Sequence, residues 1–477
     1  MLCRDNGLVA RHHAPMQHHR ARPPSRFFLL SRTEVAHGGS KRVQAARAAA
    51  DTLLWKVMVD LRGAATLAAA IVGVVFTVML LNASSRSVVP QCAEAVCHGV
   101  IVDAGSSGCR VHVFRWDGRV PAAERTVTPM GREEFTPGIA TYVDGRSEAA
   151  WTGDVEAYVD RWARAAATLL PQDAVDAVWW KVYGTAGMRL LAPGDQEALV
   201  AAIRAHLVRA RPSDHVLDVR VIPGALEGLF AWLSAERRTV LDLGGASTQI
   251  ATQIGPDAAP VEGATDFEVY SGRSWHAHVR SVSLLGFGKK EAVRAMHSAS
   301  VAMGATGNAC RARGDDALGL PGTSNAPQCE ALVDSVFATF PVQLAPLHPL
   351  AADAGVIGMD NYHHTALFFG IDKGTLDSVA AAASEYCTGL EWASVLAAYA
   401  SRSEDRYQER KLHDHCFVAF YAPRLASRAF GVDTAATTID FSTEGLSWAY
   451  GAALVEAQRL TVVASDAKLA HSRGEDL

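Results

Sequence analysis

The chain is short of positive charge, of closely spaced cysteines and of long apolar runs, and each shortage removes a class of function. With 45 Lys and Arg against 50 Asp and Glu, the net charge of -5 leaves no basic footprint for a nucleic-acid partner. Eight cysteines in 477 residues never fall in a CxxC spacing, so no zinc ribbon or finger is encoded. A Walker loop, which needs Gly-Lys followed by Ser or Thr, is missing as well.

Long apolar runs are almost absent too. Gly63 to Leu81 is the exception: nineteen residues without a charge, interrupted only by Thr66 and Thr77. At about 1.5 Å per residue it reaches across a hydrocarbon core of about 30 Å. Lys41, Arg42, Arg47, Lys56 and Arg62 precede it and Arg86 follows, which places the N-terminus in the cytosol and the rest in a lumen or outside. Residues 1–62 carry eleven Lys or Arg against four Asp or Glu and read as a basic, disordered cytosolic tail, with its His12-His13 and His18-His19 pairs included. The expected order is tail 1–62, signal anchor 63–82 and stem 83–96, that is, a single-pass type II membrane protein. Cys3 is then cytosolic and Cys109 lies inside a loop described below. Six cysteines remain on the lumenal side, where an oxidising compartment favours pairing. Pairing of sequence neighbours gives Cys310–Cys329 and Cys387–Cys416, with Cys92–Cys97 a third.

What is present in strength is a pair of similar hairpins. Val100 to Trp116 reads VIVDAGSSGCRVHVFRW, an apolar strand ending in Asp103, a Gly-Ser-Ser-Gly turn and an alternating strand. Small turn residues leave successive backbone amides bare, and bare amides form an anion nest. A carboxylate beside such a nest repels phosphate, but suits a hard divalent cation held through water. Thr239 to Ala251, TVLDLGGASTQIA, repeats the plan with Asp242, Gly244-Gly245, Ser247 and Thr248, roughly 140 residues on. Two such hairpins suggest two related halves facing one phosphorylated ligand across a cleft.

Between them, Trp179 to Tyr183 is a strand that runs into Gly184-Thr185-Ala186-Gly187-Met188-Arg189, where Thr185 is either a helix cap or a ligand-facing hydroxyl. Trp151 to Leu170 and Gln196 to Arg209 have helical spacing. Val221-Ile222-Pro223-Gly224 opens a helix in whose first turn stands Glu227. A first-turn acid either balances the helix dipole or, if partly buried, has the raised pKa of a general base. Residues 300–330 read as a disulfide-held surface loop, and Leu332 to Leu344 as a helix. Tyr362, Phe368 and Phe369 form an aromatic group, and His363-His364, without acids nearby, a packed or exposed pair. Gly445 to Leu454 begins a last helix rich in small residues.

The ordered stretches DAGSSG, GTAGMR, the Glu227-Gly228 helix, DLGGAST and SWAYGAA resemble the apyrase family, the nucleoside di- and triphosphate diphosphohydrolases, over residues 100–454. The resemblance implies an α/β, actin-like (RNase H-like) fold of two lobes with mixed sheets: lobe I at 97–221 plus 441–460, lobe II at 222–440, and a polar tail at 461–477. It implies Glu227 as the base, with Thr185, Ser247 and Gln249 orienting the attacking water and terminal phosphate. Asp103 and Asp242 would hold Mg2+ or Ca2+ through water. Ser106, Ser107, Gly108, Gly244, Gly245 and Ala246 would cradle phosphate, Trp448 would support the site, and Tyr362 and Phe368 would stack the base. Leu226, Cys109 and Tyr450 depart from the family pattern. The single anchor and few cysteines look like Golgi-type members that cleave GDP and UDP, with a broad-specificity cell-surface apyrase and a non-catalytic nucleotide-binding protein as alternatives. Exopolyphosphatases and sugar kinases share paired hairpins but not the anchor. A chaperone of the same fold needs a further domain where only about 20 residues follow Leu454.

Overall fold

The computed structural model describes residues 96–464 apart from 172–177, 213, 273, 317–318, 340–354 and 401–411, all within one compact unit, Ser87–Leu477. The expected cytosolic tail, anchor and stem lie outside the described residues, as does Cys92. Among the described residues no helix is long and apolar enough to cross a membrane.

The first sheet is built from β1 (Cys97–Ala104), β2 (Cys109–Trp116), β3 (Thr128–Phe135), β4 (Trp179–Gly184) and β5 (His215–Val221), in the order β3-β2-β1-β4-β5. Antiparallel pairing of β1 with β2 and of β2 with β3 meets parallel pairing of β1 with β4 and of β4 with β5, so the sheet is mixed. Val100, Ile101 and Val102 are fully buried, since both sheet faces are covered and successive side chains point to opposite sides. On one face lie α1 (Glu148–Leu169) and, after the one-turn α2 (Ala186–Arg189), α3 (Pro193–Ala210). The stripe Trp151, Val155, Tyr158, Val159 and Trp162 of α1 is buried at the spacing read from the sequence.

After α4 (Gly224–Ser234), a second sheet follows from β6 (Thr239–Leu243), β7 (Ser247–Ile254), β8 (Ala264–Ser271) and β9 (Trp275–Leu285). Helices α5 (Lys289–Ala302) and α6 (Ala326–Thr339) lead to β10 (Val356–Asp360), α7 (Asn361–Phe368), β11 (Lys373–Gly374), α8 (Leu376–Tyr386), α9 (Trp392–Ala400), α10 (His415–Phe430) and β12 (Ile439–Asp440). The chain then forms α11 (Trp448–Ala457) and β13 (Thr461–Ala464), and the sheet order is β11-β12-β10-β6-β7-β9-β8-β13. It too is mixed, with β10 parallel to β6 and β7 antiparallel to it.

Two helices join the sheets. Helix α11 packs on β1 and β2, α4 packs on β6, β7 and β9, and the two pack on each other. From Glu227 onward every residue of α4 is buried, which a helix on a single sheet would not need. The small residues of α11 permit the approach: a Cβ on Gly451 would lie 1.9 Å from the carbonyl oxygen of Phe230.

Several expectations are corrected. Helix α6 begins at Ala326, inside the stretch read as a surface loop, and Asn308, Arg311 and Asp315 there are buried. Arg311 is held by Asp315 at 3.3 Å and Asp414 at 3.0 Å, which makes the segment a packed polar knot rather than a surface excursion. Helix α11 starts at Trp448, three residues after Gly445, because Ser447 Oγ accepts the Ala449 N–H at 3.3 Å and caps it. Residues Thr461–Ala464, in the stretch read as a polar tail, pair with β8. The disulfides Cys310–Cys329 and Cys387–Cys416 are both present, and Cys97 is disulfide-bonded.

Gly451→Ala places a methyl group against helix backbone that cannot turn away. It is expected to lower stability by about 1–3 kcal/mol, the range for overpacking a filled core, read as a fall in thermal midpoint. An unchanged midpoint would show that α4 and α11 separate freely.

Candidate active site

Both hairpins open into one cavity of about 220 Å³, lined by Asp103, Ser106, Ser107, Thr185, Glu227, Asp242, Gly244, Gly245, Ala246, Ser247 and Trp448. Eleven residues named from the sequence are therefore brought together, by the ends of strands in two different sheets and by α4 (Glu227) and α11 (Trp448). Their approach is tight. A Cβ on Gly245 would lie 2.5 Å from Ser106 Oγ, and one on Gly187 would lie 2.6 Å from Ser106 Cα. The second hairpin is tied to α5 by Lys289 N–H to Gly244 O at 2.9 Å and Lys290 N–H to Gly245 O at 2.7 Å. Lys290 Nζ then reaches the first hairpin, at 3.4 Å from Ser106 O.

Glu227 is 8% exposed. Arg189 Nη2 donates to Glu227 Oε2 at 3.0 Å and to Ser247 Oγ at 3.1 Å. Gln249 Nε2 donates to Ser247 Oγ at 2.7 Å and lies 3.5 Å from Glu227 Oε2. A hydroxyl that accepts twice keeps its own proton for a third partner, so Ser247 is set to donate. Burial raises the Glu227 pKa above the usual carboxylate range, while Arg189 pulls it back. Gln249 is itself held by Ser283 Oγ at 3.0 Å and does not line the cavity, acting from behind Ser247.

Asp103 is 4% exposed and Asp242 6%. Burial pushes the Asp103 carboxyl up to about 7 even though Arg110 Nη1 donates to it at 3.1 Å. Asp242 is also raised well above its ordinary value, by burial first and then by the charges of Asp360, Glu227 and Asp103. One oxygen of each, Asp103 Oδ1 and Asp242 Oδ1, is buried without a hydrogen-bond partner. Orphaned carboxylate oxygens in a cavity suit a hard cation and its water shell. Among the described residues no three acidic, histidine or cysteine side chains form a group that could ligate an ion directly.

Arg110, Arg189 and Asp360 are among the charged residues of the site not singled out from sequence; Arg132, Glu134 and Glu444 also line the cavity. Arg110 sits directly across the hairpin from Asp103 and also 3.6 Å from Glu134. Counting outward from the turn pairs these two positions, which is the signal that finds it. Arg189 ends the GTAGMR stretch, and its partners are supplied by distant segments. Asp360 occupies the junction of β10 and α7 with φ 50 and ψ -114, a conformation that costs a non-glycine residue on the order of 1–3 kcal/mol.

Two expected residues lie elsewhere. Tyr362 is 2% exposed and packed in the second-sheet core, so it offers no face to a base. Phe368 stacks on His415 with centroids 4.3 Å apart and meets Phe369 and Tyr386 edge-on, away from the cavity lining. Gly108 turns the first hairpin without lining the cavity. His363 is buried with Nδ1 bonded to Phe441 O, whereas His364 has an acid beside it after all: its Nε2 is 3.8 Å from Asp360 Oδ1. The Cys109 thiol is buried and pushed up to about 12, an unreactive state. The Tyr450 hydroxyl donates to Val127 O at 3.2 Å, which gives that departure from the family a structural purpose.

A family model described as GDA1/CD39 (nucleoside phosphatase) family matches residues 89–470. The chain is 24% identical over 428 residues to nucleoside-triphosphatase ntp-1 of Caenorhabditis elegans, covering 79% of this chain and 76% of that protein. It is 24% identical over 408 residues to the Golgi apyrase of Schizosaccharomyces pombe, covering 73% and 70%. Among solved structures, a nucleoside triphosphate hydrolase from Neospora caninum superposes with a TM-score of 0.54 at 16% identity, covering 82% of this chain and 96% of that one, a likeness of fold.

Gly187→Ala drives a methyl group into the backbone of Ser106 and displaces the first hairpin. Misplacement of about 1 Å costs on the order of 10²-fold in turnover. The expected result is that loss in phosphate release from nucleotide, with the thermal midpoint nearly unchanged. Turnover equal to the parent chain would show that the hairpin is not held in place by this contact.

Proposed function

The chain belongs to the GDA1/CD39 nucleoside phosphatase family and hydrolyses nucleotide phosphates, and from that premise we propose that Glu227 activates water against the terminal phosphate of nucleoside di- or triphosphates, with GDP and UDP favoured. The observation that carries this reading is the Glu227 carboxylate, buried in the cavity that both hairpins share and held by Arg189 beside Ser247 and Gln249. A water between Glu227 and the phosphorus gives its proton to the carboxylate. The new O–P bond forms as the bridging O–P bond breaks, and the nucleotide leaves one phosphate shorter. Ser106, Ser107, Gly245 and Ala246 offer the donors that spread the charge on the phosphoryl oxygens, Gly244 closes the turn by donating to Ser247 O, and Ser247 adds its hydroxyl proton. Thr185, at the mouth of α2, orients the phosphate or the water. Trp448 closes one wall and is braced by Phe230 and Tyr183, each with centroids 6.3 Å away. Nothing in this scheme requires a phosphoenzyme.

Asp103 and Asp242 would hold Mg2+ or Ca2+ through water. Such an ion, when bound, neutralises phosphate charge that the carboxylates alone would repel. The two lumenal disulfides fit an oxidising compartment, and the resemblance to a Golgi apyrase favours the Golgi lumen, behind the N-terminal anchor expected from the sequence. There the enzyme would convert nucleoside diphosphate left by glycosyl transfer into monophosphate.

The test is phosphate release by the full-length chain with Mg2+ or Ca2+ across GDP, UDP, ADP, GTP, UTP and ATP. Glu227→Gln is expected to lower release by on the order of 10²–10⁴-fold while nucleotide still binds. Wild-type turnover in that variant would remove Glu227 from the chemistry, and faster release from triphosphates would overturn the diphosphate preference. Arg189 supplies a second check with a defined sign. Its charge favours the ionised form of Glu227, so Arg189→Gln leaves more of the base protonated at a given pH. The acidic limb of kcat/KM is expected to move to higher pH, with part of the lost rate returning as pH rises. A limb that stays in place would show that Glu227 is not the group that titrates there.

A further inference from the structure

Asp360 belongs to neither hairpin and to none of the roles above, yet it lines the same cavity. It ends β10, the parallel neighbour of β6, in a register that sets Met359 beside Asp242 and Asp360 beside Leu243. Asp242 and Asp360 are therefore delivered at the carboxyl ends of adjacent parallel strands, where α/β sheets present ligand-binding groups. Asp360 occupies the cap position of α7 but makes no capping hydrogen bond, so its carboxylate is not spent on the helix. The Asn361 amide donates to Leu243 O at 2.6 Å and pins the turn in its left-handed conformation.

The charges of the cavity do not balance around this residue. Six acids, Asp103, Glu134, Glu227, Asp242, Asp360 and Glu444, line the cavity against Arg110 and Arg132, with Arg189 taken by Glu227 and Arg110 by Asp103 and Glu134. Among the described residues the charged partner within 4 Å of Asp360 is His364, at 3.8 Å, beyond hydrogen-bond range. Among the described residues Asp242 forms no ion pair within the same limit, and Arg110 is the weakest of the charges acting on it. Independently, Asp103 and Asp242 line this cavity with side chains more than nine-tenths buried, and one oxygen of each, Oδ1, has no hydrogen-bond partner. Those oxygens ask for a cation or its water shell.

We propose that Asp360 is a third carboxylate of the divalent-cation site, joining Asp103 and Asp242 in holding the hydrated ion. This rests on the reading of Asp103 and Asp242 as the ion's carboxylates and adds a residue from a strand that neither hairpin contains. Water-mediated contact is the required form, since the three do not close tightly enough for direct ligation. A divalent ion that keeps several waters accepts such a cage. Asp360 then ties the β10–α7 junction, and with it the wall bearing His363, His364 and Leu367, to ion binding.

The probe is Mn2+ alone, titrated into the full-length chain without nucleotide and followed by the electron paramagnetic resonance signal of the free ion. Asp360→Asn keeps the shape and tolerates positive φ as well as aspartate does, so it removes charge without forcing the turn. Its Kd for Mn2+ is expected to rise about 10- to 100-fold, the range for loss of an outer-shell ligand. Asp117→Asn, an exposed carboxylate on the far end of β2, is expected to leave Kd unchanged. Should the asparagine variant fail to fold, Asp360→Gly, unstrained at this φ, is judged by the same criterion. A variant Kd within twofold of wild type, while Asp103→Asn and Asp242→Asn lose Mn2+, overturns the role of Asp360 and leaves the two-carboxylate site standing. No Mn2+ bound by the wild-type chain overturns both.

Discussion

Burying several carboxylates in one cavity is the constraint on which the rest of this structure depends. Asp103, Asp242, Glu227 and Asp360 face a common space, and burial together with mutual repulsion drives the first three above the ordinary carboxylate range. Like charge at this density persists only where the surrounding fold holds it in place. Here the holding is done by two sheets that meet through α4 and α11, a contact so close that Gly451 rests against the backbone of α4. The apolar joint lies just behind the polar cavity, with Phe230 and Trp448 belonging to the former and Glu227 and Trp448 lining the latter. Packing energy is thereby placed where electrostatic strain is greatest.

The hairpins depend on the same closeness. Each is a short turn of small residues, and what makes them a pair is that Gly245 and Gly187 leave room for Ser106. Larger side chains would part the loops, and the amides of one would no longer face the amides of the other. Lys290 reinforces the approach from outside, carrying the first turn of α5 to the carbonyl of Ser106. A site assembled this way has little slack, because its walls are backbone.

The sequence disclosed the hairpins, the Glu227 helix and the two disulfides, since each has a local signature: apolar strand, small turn, hydroxyl, or neighbouring cysteines. It did not disclose what depends on distant partners. The strand pair β8 and β9 carries polar residues on alternate positions, in His276, His278 and Arg280, and reads weakly as sheet until its partners are known. Residues 300–330 look loop-like by composition, yet Arg311 and Asp315 bury one another there, which no local pattern announces. The aromatic group was misread for the same reason. Tyr362 and Phe368 advertise a stacking surface in one dimension, while in three Tyr362 fills the core beneath the second sheet and Phe368 lies half-buried against His415 in a separate small cluster. Asp360 was passed over because a lone acid after an apolar strand has no distinctive neighbours; its meaning comes from the adjacent parallel strand.

The division of labour among the carboxylates follows from which of them is given an arginine. Glu227 shares Arg189 with Ser247, so its charge is stabilised while its position is fixed against a hydroxyl and an amide. That is the arrangement of a base, which must be ionised at rest and accept a proton in the transition state. Asp103 shares Arg110 with Glu134, yet keeps one oxygen bare, and Asp242 feels Arg110 only as the weakest of the influences on it. Those two are left with unmet need for positive charge, which the proposed cation would meet. Phosphate brings more negative charge to the same cavity, so nucleotide alone is opposed there, whereas a cation is favoured alone and favoured further with nucleotide. Binding is then coupled by electrostatics before any residue moves.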